Sequence, residues 1–307
     1  MIDFSKTGKM LNLSEIKEVE VVVLKRLNEL TIGEHKSVFR GSGFDLVGLR
    51  EWQPGDKLSS VDWPQSAINN YDPMLVREFE EDKSGTILIV ADVSLSMQCG
   101  VDGRSSGDIA SRIIATIGFS GAFFQDLTGL FMFDERGSYN FIRPRLGKNQ
   151  VIDCLSKYLN PKFSHSADGF NSLAGKIVGS LKRTSIVPVV SDFLFPDTEN
   201  FIEALSTIKT RHDVFVVMVD CSFLFDLPEI SDGWIRCADL ESGRTTLLSR
   251  SEFSSMVRRV TDHQAKVLKM AHERGIEVVT VNRDKAKSFN DLTEFFFARK
   301  TKKKVTI

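Results

Sequence analysis

Thr86-Ile-Leu-Ile-Val-Ala-Asp92-Val93-Ser94-Leu95-Ser96 is the stretch on which the fold turns. Residues 86–91 are a short apolar run rich in β-branched side chains, which reads as a strand covered on both faces. It follows a charged segment (Glu78, Glu80, Glu81, Asp82) and Lys83-Ser84-Gly85. That change of texture marks a domain boundary. The sequence divides into an N-terminal helix plus a small β-rich attachment over 1–83, an α/β domain over 84–300, and a basic tail over 301–307.

Beyond the boundary, short apolar runs alternate with longer stretches of helical period. Strands are expected at Leu127–Phe133, with Tyr139–Arg143 pairing to it as a ribbon, and at Ser185–Val190, Val214–Asp220 and Ile276–Val281. Helices are expected over Asp108–Gln125, Asn149–Leu159, Asn171–Leu181, Thr198–Lys209, Glu252–Arg274 and Leu292–Arg299. This order predicts a three-layer, doubly wound, mainly parallel sheet with right-handed crossovers. Pro188 is a local contradiction, because proline cannot donate to a sheet ladder. Upstream, Ile16, Val19, Val23, Leu27 and Leu30 recur every three or four residues, as on one face of a helix over Leu13–Leu30. Gly41, Gly43, Gly48 and Pro54-Gly55-Asp56 then punctuate short strand-like segments.

In an open parallel sheet, ligands bind beyond the carboxyl ends of the strands. The first strand ends in Asp92-Val93-Ser94-Leu95-Ser96 and a later one in Ser191-Asp192, so carboxylates and hydroxyls converge there. Such oxygen donors suit a hard divalent cation, Mg²⁺ or Mn²⁺. As a bare pattern, D-x-S-x-S equally fits a turn in which Asp and Ser cap backbone amides.

With the apolar strand before it, Met97 after it and Asp192 on a second strand end, the segment resembles the metal-ion-dependent adhesion site of von Willebrand factor A domains. The resemblance implies that Ser94 and Ser96 coordinate the metal, that Asp92 and Asp192 act mainly through water, and that a partner's carboxylate completes the octahedron. The family's threonine has no match. Its place falls within Asp168-Gly169-Phe170-Asn171-Ser172-Leu173, where Asn171 is the nearest donor and Ser172 the next. The resemblance widens with Phe39-Arg40-Gly41-Ser42-Gly43-Phe44, Leu49-Arg50, Gln53-Pro54-Gly55-Asp56, Val61-Asp62-Trp63 and Val76-Arg77-Glu78-Phe79-Glu80. Downstream it takes in Asp226-Leu-Pro-Glu229 and Asp239-Leu-Glu-Ser-Gly243. Together these are similar to the bacterial family called domain of unknown function 58, from about Leu11 to Arg299. Ser59 or Ser60 and Ile68 stand where members usually carry arginine. Family resemblance implies an adaptor or co-chaperone working with a MoxR-type AAA+ ATPase on a client protein; a metal-free scaffold with a vestigial site is the alternative.

Other readings find less support. A haloacid dehalogenase-like phosphatase needs a second carboxylate where Ser94 stands, and a serine hydrolase needs a G-x-S-x-G elbow, so no enzyme is expected. Gly41-Ser42-Gly43 lacks the third glycine of a dinucleotide loop, and no Gly-Lys-Ser/Thr occurs. Lys and Arg total 40 against 41 Asp and Glu, a net charge of −1, which argues against nucleic acid as a partner. The longest uncharged stretch, Ile113 to Gln125, is shorter than the roughly 18–20 residues of a membrane span, and no signal pattern opens the chain. A cytoplasmic protein is expected. Cys99, Cys154, Cys221 and Cys237 form no C-x-x-C pair and read as reduced thiols. His35, His165, His212, His263 and His272 are scattered, and Arg299–Lys304 reads as a solvated terminus. Trp52 and Trp63 flank the Pro-Gly-Asp turn, as core packing or as a recognition surface.

Overall fold

The computed structural model describes residues 13–32, 45–56, 58–80, 85–101, 104–195, 197–225, 234–238, 245–284, 287–288, 290–292 and 295. Outside them lie the expected Phe39–Phe44, Asp226–Glu229 and Asp239–Gly243 motifs, the basic tail and most of the helix expected over Leu292–Arg299.

The chain forms two compact units, one of residues 28–84 and one of residues 1–27 with 85–307. The smaller unit holds strands β1 (Asp45–Glu51) and β2 (Leu75–Glu80), paired antiparallel, and a short helix between them, α2 (Trp63–Ile68). Asp62 caps α2 by accepting from the Gln65 N–H, and Pro64 fits the first turn, where no N–H is needed. In the Pro-Gly-Asp turn, Arg50 holds the Asp56 carboxylate through two contacts of 2.7 Å and keeps its pKa down to about 2. The helix α1 (Leu13–Ile32) was expected to belong with this attachment. Up to residue 27 it clusters instead with the larger unit, where Ile16 and Val23 are buried.

The larger unit is built on a seven-stranded sheet of order β13-β10-β9-β3-β6-β7-β8. Its strands are β3 (Thr86–Asp92), β6 (Leu127–Phe133), β7 (Ser138–Arg145), β8 (His165–Ser166), β9 (Ile186–Ser191), β10 (Asp213–Val219) and β13 (Glu277–Val281). The five from β13 to β6 are parallel, while β7 and β8 run antiparallel at one edge. Two-residue strands β4 (Gly100–Val101) and β5 (Arg104–Ser105) and the hairpin β11 (Ile235–Ala238) with β12 (Thr245–Leu248) stand apart from the sheet. Connecting helices are α3 (Ser106–Phe123), α4 (Lys148–Leu159), α5 (Gly169–Ser180), α6 (Thr198–Lys209) and α7 (Arg250–Glu273). This is a mixed α/β fold with a central, mostly parallel sheet flanked by helices.

Leu88, Ile89, Val90 and Ala91 are all fully buried, as a strand covered on both faces requires. Leu88 and Val90 join Phe131, Phe133, Val187 and Val189 in a core closed by α5, α6 and α7. Alternate residues Ile87, Ile89 and Ala91 point to the opposite face. Pro188 is accommodated because β9 pairs with β10 throughout, while toward β3 the register is recorded at Ile87↔Ile186 and resumes at Val90↔Val189. One stretch of one ladder is lost, not the strand.

From the central β3 the chain first crosses to β6 on one side and later to β9 on the other, then onward to β10 and β13. The strand order therefore reverses between β3 and β9, and the crevice beyond their carboxyl ends is the topological switch point.

Candidate functional site

Asp92 ends β3, and Ser191-Asp192 ends β9, so the fold delivers two carboxylates to the two sides of that switch point. After Asp92 the chain turns through a 3-10 segment, Leu95–Gln98. The Ser94 N–H donates to Asp92 Oδ1 at 2.7 Å, which folds the turn back over the strand end. Ser94 Oγ then lies 3.0 Å from Ser96 Oγ, and Ser96 Oγ donates to Asp192 Oδ1 at 3.0 Å. Ser191 Oγ donates to Asp92 Oδ2 at 2.5 Å, tying the strands together from the other direction. Four of the five expected donors, Asp92, Ser94, Ser96 and Asp192, are thus one hydrogen-bonded cluster. Asn171, the fifth, is exposed on the first turn of α5 and makes no hydrogen bond to the others among the described residues.

Both carboxylates are fully buried. Burial, then the neighbouring Asp192 charge, pushes the Asp92 carboxyl up to about 7; burial likewise raises Asp192. Among the described residues no lysine or arginine pairs with either. Their partners are hydroxyls, the Ser94 and Leu194 amides, and the Cys221 thiol, 3.8 Å from Asp192 Oδ2. A buried pair of acids without a counter-cation is costly when ionised. The donor set of two carboxylates and adjacent hydroxyls fits a hard divalent ion that supplies the missing charge. No group of three His, Cys, Asp or Glu side chains converges among the described residues, so hydroxyls are an indispensable part of any such donor set.

Several supports were not foreseen. Tyr158, buried on α4, donates through its hydroxyl to the Asp92 carbonyl at 3.1 Å. Gln264, buried on α7, donates from Nε2 to the carbonyls of Asp192 and Val219, each at 3.0 Å. His263 Nε2 lies 2.8 Å from the Phe193 carbonyl. Phe193 itself has φ 57°, an unfavourable left-handed conformation for a bulky residue, and is fully buried directly after Asp192. Its N–H donates to Ser191 Oγ at 2.8 Å, so the strained turn holds Ser191 toward Asp92. A signal existed for Gln264, which falls on the apolar stripe of α7 with Val267 and Ala271. A buried amide at such a position must have polar partners.

The fold and this cluster define a class: an α/β sheet protein with an acid-and-hydroxyl site at its switch point. The chain belongs to the family described as Protein of unknown function DUF58, whose model matches residues 48–270. Uncharacterized proteins of Mycobacterium bovis and Mycobacterium tuberculosis are 23% identical to it over 274 residues, covering 88% of this chain and 84% of theirs. Among solved structures, BatB from Bacteroides thetaiotaomicron aligns with 70% of this chain and 100% of its own, at 13% identity and a TM-score of 0.42. An aerotolerance-related membrane protein from Bacteroides fragilis aligns with 67% of this chain and 99% of its own, at 12% identity and a TM-score of 0.41. In the present chain no helix of the described residues is long and apolar enough to cross a membrane.

Proposed function

We propose that this chain is a non-enzymatic, metal-dependent protein-interaction module of von Willebrand factor A type, serving as adaptor or co-chaperone of a MoxR-type AAA+ ATPase that acts on a client protein. The observation that carries this reading is the buried Asp92 and Asp192 pair, linked through Ser191 and Ser96 hydroxyls and lacking a basic partner among the described residues. A bound Mg²⁺ or Mn²⁺ supplies countercharge and an open coordination position for an acidic side chain of the partner. Ser96, half-buried, presents the donor nearest solvent, while Ser94, Asp92 and Asp192 are buried beneath it. Ser94 stands where a phosphatase of this topology needs a second carboxylate, which supports binding over catalysis.

A metal-free scaffold is favoured by one observation of its own. The four side chains already have hydrogen-bond partners, Asp92 from the Ser191 hydroxyl and the Ser94 N–H and Asp192 from Ser96, and the raised pKa values let a proton take the place of a cation. Calorimetric titration of the full chain with Mn²⁺ and Mg²⁺ separates the two. The metal-dependent reading expects saturable binding that is lost in Asp92→Ala, and capture of the partner ATPase that chelator and the Ser94→Ala/Ser96→Ala pair reduce equally and without adding, because both remove the same bonds. No heat at millimolar ion, with capture indifferent to chelator, establishes the scaffold instead.

A further inference from the structure

The smaller unit presents its aromatic side chains in an unusual way. Trp63, at the start of α2, is 50% exposed, and Tyr71, just past its end, is 54% exposed. Their ring centroids are 6.4 Å apart with planes inclined at 58°, an open wedge of two aromatic faces. Backbone conformation places Tyr71 there at some cost. Asn70 and Tyr71 have φ of 53° and 62°, and although asparagine tolerates that region, tyrosine rarely enters it. The chain is held in this form by the Tyr71 N–H, which donates to the Ser66 carbonyl at 2.8 Å, and by Ser66 Oγ, which accepts from the Leu75 N–H at 2.8 Å. Strain that projects a large ring into solvent beside another exposed ring needs a reason other than packing.

The electrostatic setting identifies what fits. Asp72, next to Tyr71, is exposed and its carboxylate is unpaired among the described residues. Residues 28–84 carry eleven acidic side chains against six basic ones, although the whole chain is close to neutral. Two inclined, exposed aromatic faces with an exposed carboxylate on the residue that follows Tyr71, in a unit of acidic composition, match a planar cation. A guanidinium stacks on an indole or phenol face while its edge N–H groups reach a carboxylate, which an ammonium cannot do in the same plane. We propose that Trp63, Tyr71 and Asp72 form a docking site for an arginine in a basic segment of a partner protein. The site is independent of the cation cluster and needs no metal.

The test uses the full chain labelled with 5-fluorotryptophan, in which Trp52, Trp63 and Trp234 give separate fluorine resonances, and hexa-arginine peptide as the probe. Saturable movement of the Trp63 resonance is expected, with Trp52 and Trp234 unmoved and with hexa-lysine binding at least fivefold more weakly. Asp72→Asn should weaken hexa-arginine severalfold. Tyr71→Asn should abolish the Trp63 response while leaving the melting temperature equal or higher, since asparagine adopts the left-handed region readily. Chelator and the Ser94→Ala/Ser96→Ala pair should change none of this, so failure here and failure of the cation site are distinguishable. The proposal is overturned if Trp63 ignores hexa-arginine, if it responds equally to hexa-glutamate, or if Tyr71→Asn binds like the wild type, which reduces the effect to general charge attraction. A melting temperature several degrees lower in Tyr71→Asn also overturns it, because the ring is then a packing element.

Discussion

Asp92 carries a proton in the folded chain at a pH where a free carboxyl has lost it. With its pKa raised to about 7 from the ordinary value near 3.8, the folded state holds that proton more tightly than the unfolded state does. The resulting stability is complete below about pH 4 and is lost as the pH rises through 7. Without divalent ions, the melting temperature should therefore fall between pH 5 and pH 8. Asp92→Asn keeps an acceptor for the Ser94 N–H and removes one of the two raised titrations, leaving that of Asp192, so it should reduce that slope and be more stable than wild type at pH 8, on the order of 2 kcal/mol. The same variant should bind Mn²⁺ far more weakly. A lower melting temperature than wild type at pH 8 would show that the buried charge is compensated after all.

Among the elements, α3 and α4 meet closely at a glycine. A Cβ at Gly118 would lie 2.6 Å from Val151 Cγ1, so the two helices meet at a position that admits no side chain. Gly118→Ala should destabilise by about 1–3 kcal/mol despite its better helix propensity, and Val151→Ala in the same chain should recover part of the loss, read from denaturant midpoints. Most elements are legible in the sequence because strands buried on both faces appear as continuous apolar runs; β3, β6 and β10 lie where those runs do, and the edge strand β13, buried only at Val279 and Val281, follows a shorter one. The hairpin of β11 and β12 is not, since strands of four residues are too short to show alternation. Asp92, Ser94, Ser96 and Asp192 could be found because they follow such runs directly. Tyr158 could not, as it reaches a carbonyl 66 residues away, a distance that periodicity does not encode; Gln264 shows in the sequence as a polar residue on an apolar stripe, but its acceptor, 72 residues away, does not. Asn171 reads in the sequence as an oxygen donor preceding a helix, but α5 already starts at Gly169, which leaves that residue exposed on the first turn.

At the scale of the whole molecule, the two units differ in how much they bury. β3 alone contributes four fully buried apolar residues besides Asp92, whereas among those residues of 28–84 whose exposure is described the buried apolar side chains are Val61 and Val76. Amide hydrogens of β1 and β2 should accordingly exchange at least tenfold faster than those of β3 and β9 under native conditions. Uniform exchange would mean that the units open as one. Within the larger unit, Ser96 reaches Asp192 and Ser191 reaches Asp92 across separations of 96 and 99 residues. During synthesis the D-x-S-x-S turn therefore leaves the ribosome about a hundred residues ahead of the groups that complete it. Until β9 settles beside β3, its aspartate is an ordinary, hydrated carboxylate. Truncated and half-folded chains are thus unable to present the assembled cluster, and under the proposed function recognition of it would select finished molecules from nascent ones.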